Sequence, residues 1–362
     1  MQTYKKSMLN QCDNLLNKVN RLPYPNHIQQ VLPTLIKNYK TKIEITSEVD
    51  LKYSKYTPLI HFLDTLNMRQ LKSFNNSFEN IHKLSTIKSQ NEIIQNLKLT
   101  EDKQREWFGF LFESFCKSVV FKKNKLKADF KFVNENGKNP DIKISIHEKP
   151  FILECTTLNP SDDDEYAWTN FLEEKKLDSN VVMMRPGKYD KPNSKSPSWY
   201  YDTNRFYLKV YDKLAKDLNL QNCQLSSYHP NILLISLNSG YTGLNHSLGI
   251  GWAIDELFSE VRYKSDVVNN HSDSSFSGWL SKHRERMLSQ YPDKKEDLKK
   301  YFVDNWDAIS FATKKISAIY IFDRFKLIQS RINYNAYEAN KISHKEAAVI
   351  DKLFSKLPIW IV

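Results

Sequence analysis

The first glycine of this 362-residue chain is Gly109. A run of 108 residues without glycine leaves few places for left-handed turns or bulges, and with helical periodicity it reads as mostly α. The apolar spacing agrees: Leu15, Leu16 and Val19, then Val31, Leu32, Leu35 and Ile36, then Leu59, Ile60, Leu63 and Leu66, and finally Ile81, Leu84 and Ile87 recur at helical intervals. Pro23, Pro25, Pro33 and Pro58 punctuate these pieces. Residues 1–98 therefore read as an all-α region.

Beyond this point the pattern changes. Residues 101–120 (EDKQREWFGFLFESFCKSVV) form an amphipathic helix, and three strand-like runs follow at 128–133, 142–146 and 151–158. Residues 161–200 read as a long polar loop, and 202–218 as a second amphipathic helix. The continuous apolar run NILLISL at 231–237 reads as a buried strand. Four of the eight glycines fall in a loop at 238–251. Helices are expected over 252–263 and 295–304, and a last strand over 316–322. This order defines an α/β domain over 99–362.

Charge supplies a second constraint. Lys and Arg number 53 against 42 Asp and Glu, a net +11, and residues 1–100 hold 14 of the cations against 7 of the acids. The imbalance favours polyanionic partners and gives the helical region the role of a DNA or partner-protein contact. The four cysteines have no CxxC spacing, which argues against a disulfide framework or a cysteine zinc site and fits a reducing cytoplasm. No apolar run reaches membrane-spanning length, and MQTYKKSMLNQCDNLL lacks the apolar stretch of a signal peptide.

Most nucleotide and hydrolase signatures are missing. Gly249-Ile-Gly251 has no third glycine, and there is no P-loop, HExxH or GxSxG. The acidic run at 162–165 and Arg284 with Arg286 read as solvated, and the aromatic stretch at 199–211 as core packing of a helix.

One stretch carries chemistry: residues 139–160, NPDIKISIHEKPFILECTTLNP. Read as a hairpin turning at His147-Glu148, it pairs Ile146 with Lys149, Ile144 with Phe151 and Ile142 with Leu153. Ile142, Ile144, Ile146, Leu153 and Cys155 then share an apolar face. Asp141 stands opposite Glu154 on the other face, with Lys143, Ser145 and Thr156, and the paired Cβ atoms fall about 5 Å apart. His-Glu is a poor two-residue turn, and a slip of one residue would put the two acids on different faces. Opposed like charges are destabilising, and a carboxylate within FILEC is costly. A hard divalent cation relieves both penalties.

These residues resemble the PD-(D/E)xK, or restriction-endonuclease-like, nuclease superfamily. Pro140-Asp141 matches the first half of its motif, and Glu154-Cys155-Thr156 the second, with Thr where Lys is usual. The resemblance implies a central mixed sheet flanked by helices, with Mg²⁺ or Mn²⁺ held by Asp141 and Glu154. It implies a further acid on the preceding helix, for which Glu113 is the first candidate and Glu106 the second. It also implies a lysine drawn from the following helix, with Lys213 ahead of Lys209 and Lys216. The implied activity is hydrolysis of DNA, with RNA also open, in a restriction or phage-defence role, and often by homodimers. Thr156 also leaves open a site that binds nucleic acid or a partner protein without cutting. A third reading is a helical scaffold whose basic N-terminal region docks an acidic protein.

Overall fold

The computed structural model describes residues 3–22, 27–47, 63–64, 66–84, 91, 104–121, 127–130, 133–158, 199–214, 223–237, 250–251, 253–255, 257–258, 285, 288–289, 296, 300, 312–323 and 325–355. Of the loops expected at 161–200 and 238–251, residues 161–198 and 238–249 lie outside these residues, as do most of the helices expected at 252–263 and 295–304, Arg284, Arg286 and Lys216, while 199–200 and 250–251 are helical. The chain divides into two compact units, residues 1–125 with 352–362, and residues 126–351.

The first unit is helical, with α1 (Thr3–Asn20), α2 (His27–Ile45), α3 (Met68–Leu84) and α4 (Gln104–Phe121). The expected boundary at 98/99 falls inside it, and α4, read as the opening of the α/β domain, belongs to it. Met8, Cys12, Leu15 and Val19 of α1 are buried, as are Val31, Leu32, Leu35 and Ile36 of α2, against which α1 packs. Pro33 lies inside α2 rather than between helices. The buried apolar residues on both sides of it outweigh the ~3 kcal/mol that an interior proline costs. Gln29 donates to the carbonyls of Val19 and Leu22, satisfying the end of α1. Asn67 and Gln70 cap α3 reciprocally. Phe78 of α3 meets Phe110 of α4 with centroids 5.7 Å apart.

The second unit is built on a six-stranded mixed sheet whose spatial order follows the chain. The strands are β1 (Lys127–Asp129), β2 (Ile142–Ile146), β3 (Lys149–Leu158), β4 (Asn231–Leu237), β5 (Ile316–Asp323) and β6 (Lys326–Ile332). β1, β2 and β3 form an antiparallel meander; β3, β4 and β5 are parallel, and β6 returns antiparallel. Helix α5 (Trp199–Leu214) lies between β3 and β4 in the chain and packs on β3. Its Phe206, Tyr207, Val210, Tyr211 and Leu214 join Leu233, Ile235, Ile319 and Ile321 in one buried core. The aromatic residues of α5 from 206 onward thus serve the core, as their spacing implies.

β1, at the sheet edge, has three exposed residues where a run over 128–133 is expected, of which 131–132 lie outside the described residues. Two elements went unforeseen. β6 (KLIQSRI) is an edge strand with too little apolar content to register. Helix α6 (His344–Phe354) is announced by Ser343 and Glu346, which cap each other's backbone N–H groups at S-x-x-E spacing.

Candidate active site

The β2–β3 register is the one that the apolar alternation implies: Ile142 with Leu153, Ile144 with Phe151 and Ile146 with Lys149. His147 and Glu148 both adopt left-handed backbone angles, φ 49° and 67°, to make the two-residue turn. The unfavourable turn chemistry is overruled because all three isoleucines are buried. A slip would turn each of them outward.

Both faces of β3 are covered at its centre, so Glu154 is fully buried beside Ile152 and Leu153. Parallel pairing sets Glu154 next to Leu233 and Thr156 next to Ile235, on the sheet face that α5 covers. From the last turn of α5, Lys213 reaches down to this face. Its Nζ donates to Glu154 Oε2 at 2.8 Å, and its side chain is mostly buried.

Asp141 stands one step beyond the Ile142–Leu153 pair, opposite Glu154. Its Oδ2 accepts the Cys155 backbone N–H at 2.6 Å, so a side chain closes the ladder where β2 begins. Burial works against the charge on Lys213, but Glu154 and Asp141 outweigh it and hold the ammonium above the usual lysine range. Lys213 is therefore a fixed cation at neutral pH, unsuited to the role of a general base.

A tied set of loops fixes these groups. The turn after β1 folds around Asn134, whose Oδ1 accepts from the N–H groups of Asn136 and Lys138, with Gly137 at φ 70°. Asn134 and Asn136 donate to the carbonyls of Gln224 and Cys223, and the Gln224 N–H donates to the carbonyl of Lys213. Glu135 accepts from Ser226 Oγ at 3.0 Å and from the Ser227 N–H. The segment leading to Asp141 is thus bound to the end of the helix that carries Lys213. Sequence reasoning missed this bracing and the Cys155 N–H. The composition NENGKNPD signals a tight turn, but nothing in it names the partner strand. His229 lies nearby, its imidazole held below the usual range by burial and by Lys143.

The remaining candidates are placed as follows. Thr156 is half-buried, two residues along β3 from Glu154. Lys209 is half-buried one turn before Lys213, and the side chain of Glu106 lies outside the described residues. Glu113 sits on α4 in the first unit, in an ion pair with Lys117 one turn on. Among the described residues no group of three or more His, Cys, Asp or Glu side chains is arranged to hold a metal ion. Two carboxylates and one ammonium remain, with a formal charge of −1. That donor set fits Mg²⁺, which takes one or two carboxylates and keeps several waters. No helix among the described residues is long and apolar enough to cross a membrane.

No protein-family model matches the chain, and neither a curated protein nor a solved structure is significantly similar to it.

Proposed function

We propose that the chain is a metal-dependent endonuclease with a restriction-endonuclease-like core, cutting DNA phosphodiester bonds in a restriction or phage-defence role. The observation that carries the reading is the Lys213 ammonium at 2.8 Å from buried Glu154, beside the opposed Asp141. The order of antiparallel meander, helix and parallel strand around that pair also supports it. Asp141 and Glu154 would hold Mg²⁺ or Mn²⁺. When bound, the metal supplies an activated water and neutralises charge on the phosphate. Lys213, kept protonated, adds a fixed positive charge to stabilise the phosphate during attack. Cys155 orients Asp141 through its backbone N–H. Thr156, without a cation, leaves that duty to α5.

The test is plasmid cleavage with Mg²⁺ or Mn²⁺, comparing wild type with Asp141→Ala, Glu154→Ala and Lys213→Met. Loss of at least a hundredfold in each variant is expected on the scale of removing one electrostatic contact. Cleavage at wild-type rate in the first two overturns the assignment.

A second reading has its own support. The Lys213–Glu154 pair already places a cation against the buried acid, and Thr156 stands where Lys is usual. On that reading the chain binds nucleic acid or a partner protein without cutting. It is favoured by salt-dependent DNA retention, no cleavage with any divalent metal and no change in retention for Glu154→Ala.

A further inference from the structure

The β4, β5 and β6 pairings bring three loops to one end of the sheet. Asn231 at the start of β4 pairs with Ile316 at the start of β5, and Ala318 pairs with Ile332 at the end of β6. The loops at 226–229, 313–316 and 333–341 therefore meet there.

Buried asparagines bind them together. Asn231, fully buried, donates to the carbonyls of Ser226 and Lys315. Asn340, also fully buried, donates to Ser226 and His229 at 3.1 and 2.6 Å. Asn333 donates to the Ile316 carbonyl at 2.8 Å, and the Tyr337 N–H donates to the Lys314 carbonyl at 2.9 Å.

These rigid loops hold three tyrosines in solvent: Tyr228 at 69 % exposure, Tyr334 at 66 % and Tyr337 at 43 %. Among the described residues they are the only large exposed aromatics. The exposed aliphatics Ile45, Met68, Val133, Leu208 and Ile328 all lie outside these loops. A protein interface needs an apolar core around its aromatic anchors, which these loops lack. The same tied loops carry lysines: Lys314 and Lys315 are half-exposed between β4 and β5, and Lys341 is exposed in an ion pair with Glu338, while Glu135 is occupied by Ser226 and Ser227. Exposed rings, of which Tyr334 lies 5.7 Å from the His344 ring, and lysines on one tied set of loops suit unpaired bases and their phosphates.

We infer that this end of the sheet binds single-stranded nucleic acid, with Tyr228, Tyr334 and Tyr337 stacking on bases and Lys314, Lys315 and Lys341 holding phosphates. The inference rests on the nucleic-acid reading above but not on cleavage. Asn231 lies beside Ile152 on β3, and Glu154 is two residues further, about 7 Å along the strand. Strand bound here leads toward the acidic pair.

The test is fluorescence anisotropy of labelled oligothymidine and oligouridine against a hairpin duplex, using the full chain in EDTA. Each Tyr→Ala variant should weaken single-strand binding about 5- to 100-fold, and each Tyr→Phe variant should retain it. Duplex binding should change less than twofold. All three tyrosines are exposed, so thermal melting should match wild type. Unchanged single-strand affinity in all three Ala variants overturns the inference. So does capture of a protein partner through these tyrosines with no oligonucleotide binding. Because metal is absent, failure here is distinct from failure of the cleavage test. A chain that binds single strands through its tyrosines yet never cuts keeps this surface and loses the nuclease assignment.

Discussion

Replacing Lys213 by Met removes the ammonium 2.8 Å from Glu154 Oε2 and keeps most of the side-chain stem. Glu154 is fully buried, so its carboxylate would face the interior without that partner. Breaking a buried pair from one side costs about 3–5 kcal/mol. In a unit of the size of residues 126–351 that is a fall in melting temperature of roughly 6–20 °C. Glu154→Gln should also destabilise, because it leaves the ammonium with Asp141 alone. The double variant removes both charges together and should lie well above the sum of the two losses, by about 3 kcal/mol or more in the cycle. Calorimetry in EDTA measures all four proteins. Mn²⁺ then adds a second reading: in Lys213→Met the metal replaces the lost cation and should raise the melting temperature, by about 2.7 kcal/mol equivalent at a hundred times its dissociation constant. Additive losses in the cycle, or a Lys213→Met protein that melts with wild type, would refute the argument that this pair is a buried, coupled charge.

Three further outcomes follow from the same geometry. His147→Asn with Glu148→Gly fits the left-handed turn with residues that accept it, and should stabilise the protein by about 1–2 kcal/mol, read as a rise in melting temperature. Cys155 is half-exposed while Cys12, Cys116 and Cys223 are buried, and burial first, then Asp13, pushes the Cys12 thiol up to about 12. A brief iodoacetamide treatment of the native protein should therefore label Cys155 alone by mass spectrometry. The raised Lys213 pKa fixes the alkaline side: its contribution is present below the ordinary lysine range and survives through it, so the wild-type pH–rate profile should show no loss from this group up to pH ~10.

What could be read from the chain depended on how local the governing interaction is. The β2–β3 hairpin was legible because three isoleucines alternate with polar residues, and only one register buries all three. NILLISL was legible because both of its faces are covered. Opposed Asp141 and Glu154 followed from the register alone. β6 was not legible: an edge strand with Lys326 and Arg331 exposed has no need of an apolar pattern. The buried asparagines were equally silent. Asn231 and Asn340 look like turn residues, yet both are fully buried because their amides satisfy carbonyls from loops 84 and 114 residues away. Pro33 misled in the opposite sense, since helix packing overrode its local preference.

Lys213 shows why the site was half visible. A cation serving Glu154 can come from two places: the strand position two residues on, which shares its face, or the helix that covers that face. Thr156 fills the first with a small, half-buried side chain beside Ile235, on the face that α5 covers. A lysine there would have to thread its stem under that helix. Placing the charge on α5 keeps the layer closed, since Val210 and Leu214 pack inward while Lys213 reaches the acid from the flank. The arrangement ties chemistry to packing. The ammonium stays over Glu154 only while the buried face of α5 and the Gln224–Lys213 backbone bond hold the helix end. Loosening that core by truncating Val210 should thus weaken the site before it unfolds the sheet, whereas a lysine on the strand would be insulated from it.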